Sequence, residues 1–277
     1  MIDKVIVTAI NPDQPGVLST LASIVASGGG NITEVTSTRD TSANLFLTRM
    51  EIEGADKTLL TQHLGKLEGT FTITPADDTP VRAAILCSNT LHTTSAIINA
   101  TNRNNINIEI AAIISDKDVA GPLAQQHSIK FIRLPISKDY RQAQEQRLHD
   151  TLNELDVDLV ILSRYMRILP AYITKHWYGK MINIHHALLP AFPGSKPYEK
   201  AFSAGVKIIG ATAHYVTEHL DQGPIIAQQV VATSYQDNCA GLTRRGESVE
   251  SQVLLDAITS HLAKKVFLLE GRTVVFP

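Results

Sequence analysis

A chain of 277 residues, 44% hydrophobic and 19% charged, has the balance of a folded globular protein and the length for two ordinary domains. Its 25 Lys and Arg against 27 Asp and Glu leave no basic excess to attract nucleic acid or anionic lipid, so small molecules are the expected ligands. Cys87 and Cys239 belong to no paired-ligand spacing, the start Met1-Ile2-Asp3-Lys4 has no basic and apolar leader, and no run approaches the roughly 18 apolar residues of a membrane helix; the expectation is a reducing, cytoplasmic setting with no membrane partner.

Lys4 to Ile10 is a β-branched run that predicts a strand, and Asn11-Pro12-Asp13-Gln14-Pro15-Gly16 is a turn leading into a helix near Val17 to Ala26. Gly28-Gly29-Gly30 ends that helix. Strands follow near Asn31 to Thr38 and Ala43 to Ile52, then a helix over about Ala55 to Leu67 and a strand near Thr70 to Pro75. This βαββαβ order describes a ferredoxin-like unit, a helix pair on one face of an antiparallel sheet.

Pro75-Ala76-Asp77-Asp78-Thr79-Pro80, with two prolines, two acids and no apolar anchor, reads as a linker, giving domains over residues 1–78 and 82–277. Beyond it the pattern becomes α/β. Strands are expected at Arg82 to Cys87, Ile108 to Ser115, Ile129 to Leu134, Asp158 to Ser163 and Lys180 to His185, with helical period between them, as over Asp139 to Leu155. Alternating β and α predicts a Rossmann-like, mostly parallel sheet covered on both faces, with ligands at the carboxyl ends of the strands.

The segment Met181-Ile182-Asn183-Ile184-His185-His186 ends at such a place. Strand side chains alternate, so Asn183 and His185 share one face while Ile182 and Ile184 pack on the other. With the carboxylate of Asp221, from Asp221-Gln222-Gly223-Pro224, they form a trio suited to attack on a carbonyl: a base for the nucleophile and donors for the oxyanion. By residue pattern alone these groups serve equally well as caps of turns.

Rival chemistries lack their parts. The loop Ser88-Asn89-Thr90-Leu91-His92-Thr93 has no glycine for close approach to a pyrophosphate, and there is no GxxxxGK[ST] sequence. Adjacent His185 and His186 point apart within a strand, there is no HExxH, and His214 and His219 read as ordinary strand-end or loop histidines, so no metal is expected.

Asn183-Ile184-His185 with Leu188-Leu189-Pro190-Ala191-Phe192-Pro193-Gly194, then Gly210-Ala211-Thr212-Ala213-His214-Tyr215-Val216 and Leu220-Asp221-Gln222-Gly223-Pro224-Ile225-Ile226, resembles the folate-dependent formyltransferase fold. Within it the paired histidines and Pro190-Ala191-Phe192 are similar to the formyltetrahydrofolate deformylases, which join an N-terminal ACT domain to a hydrolase domain. Asn11, Asp13 and Gly16, with Asn31 and Ile32, sit where ACT domains carry their turn and second strand.

The resemblance implies hydrolysis of 10-formyltetrahydrofolate to formate and tetrahydrofolate, balancing one-carbon pools and supplying formate for purine biosynthesis. Asn183, His185 and Asp221 carry over as catalytic residues. Met166, Arg167, Ile168 and Leu169, with Val216, Leu220 and the loop between, carry over as the pterin pocket, where backbone groups suit the ring edge and apolar side chains its faces. Core packing is the plain alternative for Ile168 and Leu169, and Arg164 and Arg167 are candidates for an anionic tail. Folate enters as substrate and no cofactor is expected. The ACT-like unit implies an amino-acid effector or a platform for a homo-oligomer. Ala187 and Leu188 replace the family's serine and phenylalanine, and His92-Thr93 replaces a His-Cys pair, which puts that loop's contribution in doubt. With these mechanics, Asp221 needs a pKa raised by burial to serve as base near neutrality.

Overall fold

A computed structural model describes residues 4–135, 140–191 and 197–277. Met1 to Asp3 of the expected N-terminus, Asp139 of the expected helix and Phe192, Pro193 and Gly194 of the motif lie outside the described residues. The chain divides into two compact units, one ending at Thr79 and including Phe276–Pro277, the other Pro80–Val275.

The first unit runs β1 (Lys4–Pro12), α1 (Val17–Ser27), β2 (Asn31–Asp40), β3 (Leu45–Glu53), α2 (Lys57–Leu64) and β4 (Thr70–Pro75). Its antiparallel sheet has the order β2-β3-β1-β4. Alternation in β1 turns Val5, Val7 and Ala9 inward against Val17, Leu21 and Val25 of α1 and Leu60 and Leu64 of α2. The turn before α1 is shorter than expected, because Asn11 and Pro12 pair with Phe46 and Leu45 and extend the strand. Gly16 takes φ 87 at the start of α1, a left-handed conformation that glycine tolerates. Asp56 caps α2 by accepting from Thr58 N and Leu59 N, which sets the helix start two residues later than expected.

The second unit runs β5 (Val81–Cys87), α3 (His92–Asn102), β6 (Ile108–Ser115), a 3-10 turn (Asp118–Ala120), α4 (Gly121–Gln126), β7 (Phe131–Arg133), α5 (Arg141–Glu154), β8 (Leu159–Ser163), α6 (Ala171–His176), β9 (Met181–His185), α7 (Pro197–Ser203), β10 (Ile208–Tyr215), β11 (Ile225–Ala232), α8 (Cys239–Leu262), β12 (Val266–Leu269) and β13 (Arg272–Val275). The last two form a separate hairpin. Seven strands make one sheet in the order β11-β10-β9-β8-β5-β6-β7; β9 to β7 are mutually parallel, and β10 runs antiparallel to both of its neighbours, β9 and β11. The chain leaves β5 toward β6 and β7 and then returns to the other side at β8, so the winding reverses between β5 and β8.

Both faces are covered, which accounts for the continuous apolar runs of β5 and β8. Ala83, Ile85, Ile161, Ile182 and Ile184 face α3 and α8 through Ile97, Ile98, Val253 and Leu254. Ala84, Leu86, Val160, Leu162 and Met181 face α5 and α6 through Leu148, Leu152 and Ile173. Ile182 and Ile184 therefore lie on the α8 side, as the alternation predicts. Among the described residues, no helix is long and apolar enough to cross a membrane.

Candidate active site

Asn183 and His185 occupy the last turns of the β9 pleat, on the face opposite Ile182 and Ile184. His185 is 5% exposed. Its Nδ1 lies 3.4 Å from Oδ2 of Asp221, while its Nε2 is buried without a hydrogen-bond partner among the described residues. A buried ring nitrogen left unpaired costs roughly 1–3 kcal/mol, so its cost is recovered only when something enters beside it.

Asp221 reaches this place along a loop that folds back after β10. Gly223 makes the fold-back possible: a Cβ there would stand 1.7 Å from the Tyr215 carbonyl oxygen. Asp221 itself adopts φ 56, a left-handed conformation seldom taken by residues other than Gly, Asn and Asp. Burial lifts its carboxyl, but the surrounding imidazoles, His185 foremost with His214 and His186, together more than offset this and hold it below the ordinary 3.8. This reverses the expectation of a raised pKa, because the half-buried carboxylate gains a partner where a lone one would gain only desolvation.

His214, expected to be an ordinary histidine, belongs to the same cluster. It sits directly across from Asn183 in the β9–β10 ladder and is 2% exposed. With its Nδ1 2.8 Å from the Tyr215 carbonyl, the ring takes the tautomer that donates there; Nε2 then accepts from Asn183 Nδ2 at 3.1 Å and lies 4.0 Å from Asp221 Oδ1. Burial lowers its pKa, which keeps the ring neutral. The signal for this residue was the β10 register, absent from local pattern. His219 is exposed in the loop, as expected.

A cavity of about 210 Å³ opens here, with Asn183, His185 and Asp221 on its wall. Met166, Arg167, Ile168 and Leu169 line one side, and Val216 to Asp221 another. Met166, Ile168 and Leu220 are each more than half exposed, an unusual place for large apolar side chains unless a ligand covers them, whereas Leu169 is buried in the core at 8%. Arg167 is paired with the buried carboxylate of Asp116, which also accepts from Ser88 Oγ at 2.8 Å; Ser88 Oγ in turn accepts from Met166 N at 3.1 Å. Arg167 thus fastens the 164–169 loop. Arg164 lies 3.6 Å from the buried Glu250, so both guanidinium groups have a protein carboxylate beside them.

Because β9 ends at His185, His186 is free of the alternation that would turn it away, and the two rings come within 5.3 Å. His92, in the loop left in doubt, contributes indirectly: its Nε2 lies 2.9 Å from Glu250 Oε2.

In the first unit, the expected regulatory residues separate. Asn11, Asp13 and Gly16 stand at the end of β1, where Asn11 Nδ2 donates to the Glu68 carbonyl at 2.7 Å and Asp13 pairs with Arg39. Asn31 and Ile32 lie opposite Glu53 and Ile52, which pair with Lys4 and Val5 at the far end of β1. Eight residues of strand put the two sets about 25 Å apart within one copy.

The Formyl transferase family model matches residues 81–258. A formyltetrahydrofolate deformylase from Synechocystis sp. is 38% identical, over 96% of this chain and 95% of that protein. A solved formyltetrahydrofolate deformylase from Pseudomonas syringae pv. tomato is similar with a TM-score of 0.94 at 31% identity, covering 100% of this chain and 95% of that one. A glycinamide ribonucleotide transformylase from Symbiobacterium toebii has a TM-score of 0.68 at 27% identity, covering 73% of this chain and 97% of that one.

Proposed function

The chain belongs to the formyltetrahydrofolate deformylase family, and from that premise we infer that it hydrolyses 10-formyltetrahydrofolate to formate and tetrahydrofolate. One observation carries the reading onto particular residues: Asn183, His185 and Asp221 border a single cavity that the exposed apolar side chains of Met166, Ile168 and Leu220 also line.

The pterin lies against Met166 to Leu169 and the Val216 to Asp221 loop, with backbone amides and carbonyls meeting its edge. Water attacks the formyl carbon, a C–O bond forms, and the carbonyl pair moves onto oxygen. Asp221, ionised because His185 stabilises its charge, orients the water and takes its proton transiently. His185 turns Nδ1 toward Asp221, which leaves its otherwise unpaired Nε2 to donate to the oxyanion. Asn183 has a second amide hydrogen beyond the one given to His214, and donates it to the same oxygen. Collapse breaks the C–N bond, N10 takes a proton, and formate leaves as the anion with one net proton released. Folate is substrate, and the steps use protein groups alone, with no cofactor or metal invoked. The loop Ser88 to Thr93, without glycine, offers no evident seat for the phosphate of a ribonucleotide acceptor.

Purified chain is incubated with 10-formyltetrahydrofolate and no other acceptor. Formate release at enzymatic rates is expected. Turnover only after a ribonucleotide amine is added would mean a transferase, and folate-independent amino-acid binding alone would mean a sensor.

The first unit is read as an ACT regulatory domain and the chain as a cytoplasmic homo-oligomer, its formate serving one-carbon balance and purine biosynthesis. The mostly exposed edge strand β2 supports the oligomer. Antiparallel pairing of two β2 strands brings Asn31 and Ile32 of one copy toward the Asp40 end of the other, beside Asp13. An amino-acid effector then binds residues that one copy alone keeps apart.

A further inference from the structure

One α/β layout serves proteins named deformylases and proteins named glycinamide ribonucleotide transformylases, so the layout itself does not decide whether formyl passes to water or to an amine. That choice falls to the wall facing the nucleophile. The apolar side chains of Met166, Ile168, Leu169, Val216 and Leu220 suit the folate, which leaves the polar stretch made by His186 and Arg164 for the second reactant.

This wall is braced from behind. The His186 ring stands 5.3 Å from that of His185 and 5.8 Å from that of Tyr198. The Tyr198 hydroxyl donates to Oε1 of Glu250 at 2.5 Å, and Oε2 of the same carboxylate meets His92 Nε2 at 2.9 Å and Arg164 Nε at 3.6 Å. Glu250 is fully buried, a costly position that its three partners compensate. Gly246, one turn earlier on the same face of α8, makes room for the phenol: a Cβ there would stand 2.0 Å from the Tyr198 oxygen. Loss of the Glu250 contacts would free Tyr198, and with it the support of His186.

We propose that His186, braced by Tyr198 and Glu250, is the specificity-determining residue that restricts the nucleophile to water, closing the approach of an amine and holding one water with a ring nitrogen. The proposal rests on the deformylase reading above. Neither ring nitrogen of His186 has a hydrogen-bond partner among the described residues, although the ring lines the cavity. Burial, with the Arg164 charge adding to it, pushes the imidazole down to about 3, so near neutrality the ring keeps one N–H and one lone pair and can orient a water by either. With water the products are formate and tetrahydrofolate. With a primary amine, a new C–N bond replaces the one broken and the products are a formamide and tetrahydrofolate, so the two routes are separable by product.

The full chain is given 10-formyltetrahydrofolate and an excess of glycinamide, with an enzyme-free blank, and formate and N-formylglycinamide are quantified. Wild type is expected to yield formate alone. His186→Ala opens the wall and is expected to raise the ratio of N-formylglycinamide to formate about 10-fold or more, the scale of discrimination that pocket shape supplies. Gly246→Ala displaces Tyr198 without altering a cavity-lining residue, and is expected to move the ratio the same way by a smaller factor. General damage would lower total turnover and leave the ratio fixed. If one variant fails to fold, the other decides. An unmoved ratio in the folded variant, or N-formylglycinamide as a major product of wild type, overturns the proposal; absence of formate from wild type instead overturns the deformylase reading.

Discussion

Thr212→Val tests whether the segment after the paired histidines is held from β10. Thr212 is fully buried, and its hydroxyl uses its whole capacity: it donates to Ala187 O at 2.8 Å and accepts from Leu189 N at 3.0 Å and Gln228 Nε2 at 2.9 Å. Valine keeps the shape and removes all three bonds. Gln228 retains a bond to Leu189 O at 3.1 Å, so the loss concentrates on two backbone groups of the 187–189 segment. Each of the two unsatisfied buried groups costs about 1–3 kcal/mol and the added methyl returns about 0.8, which gives a net loss of about 1–5 kcal/mol. Trp177, the single tryptophan, is 5% exposed in the core of the second unit, so its fluorescence follows that unit during urea unfolding. With an m-value of about 2–3 kcal/mol/M, the midpoint should fall by about 1 M. Thr212→Ser, which keeps the hydroxyl, should lose less than half as much. A Thr212→Val midpoint equal to wild type, or a serine variant as weak as the valine one, would refute the reasoning.

Asn183→Ala removes a donor to the oxyanion and should lower formate turnover on the order of 100-fold to 1,000-fold; near-normal turnover would eliminate Asn183 from the site. Asp221 has a lowered folded pKa, so its contribution to stability is present above the ordinary 3.8 and disappears as pH falls through the folded value. The stability difference between wild type and Asp221→Asn should therefore stay level from pH 7 to about 5 and shrink only in stronger acid, whereas shrinkage centred near pH 6 would mean a raised pKa. Arg167→Ala leaves the Asp116 carboxylate buried without its cation and loosens the 164–169 loop. It should cost about 2–4 kcal/mol in urea unfolding and raise KM more than it lowers kcat, and an unchanged KM would detach that loop from folate binding.

The double-wound architecture was legible because buried strands such as Arg82 to Cys87 and Asp158 to Ser163 are short apolar runs between helical periods. Strands β10 and β11 were less so: Gly210, Ala211 and Ala213 have little β-propensity, and β10 is selected by burial between two neighbours. Likewise, β7 shrank from Ile129–Leu134 to Phe131–Arg133, since only those residues find ladder partners on β6.

The sequence by itself determined which side chains share a face, since alternation is local: Asn183 and His185 on one side of β9, Ile182 and Ile184 on the other. Tertiary structure decided what they meet. The β9–β10 register set His214 opposite Asn183, the fold-back over Gly223 brought Asp221 to His185, and α8 carried Glu250 behind Tyr198. It also reversed the pKa of Asp221 and parted Asn31 from Asp13, because proximity between distant segments depends on how strands and helices pack, which short-range periodicity does not encode.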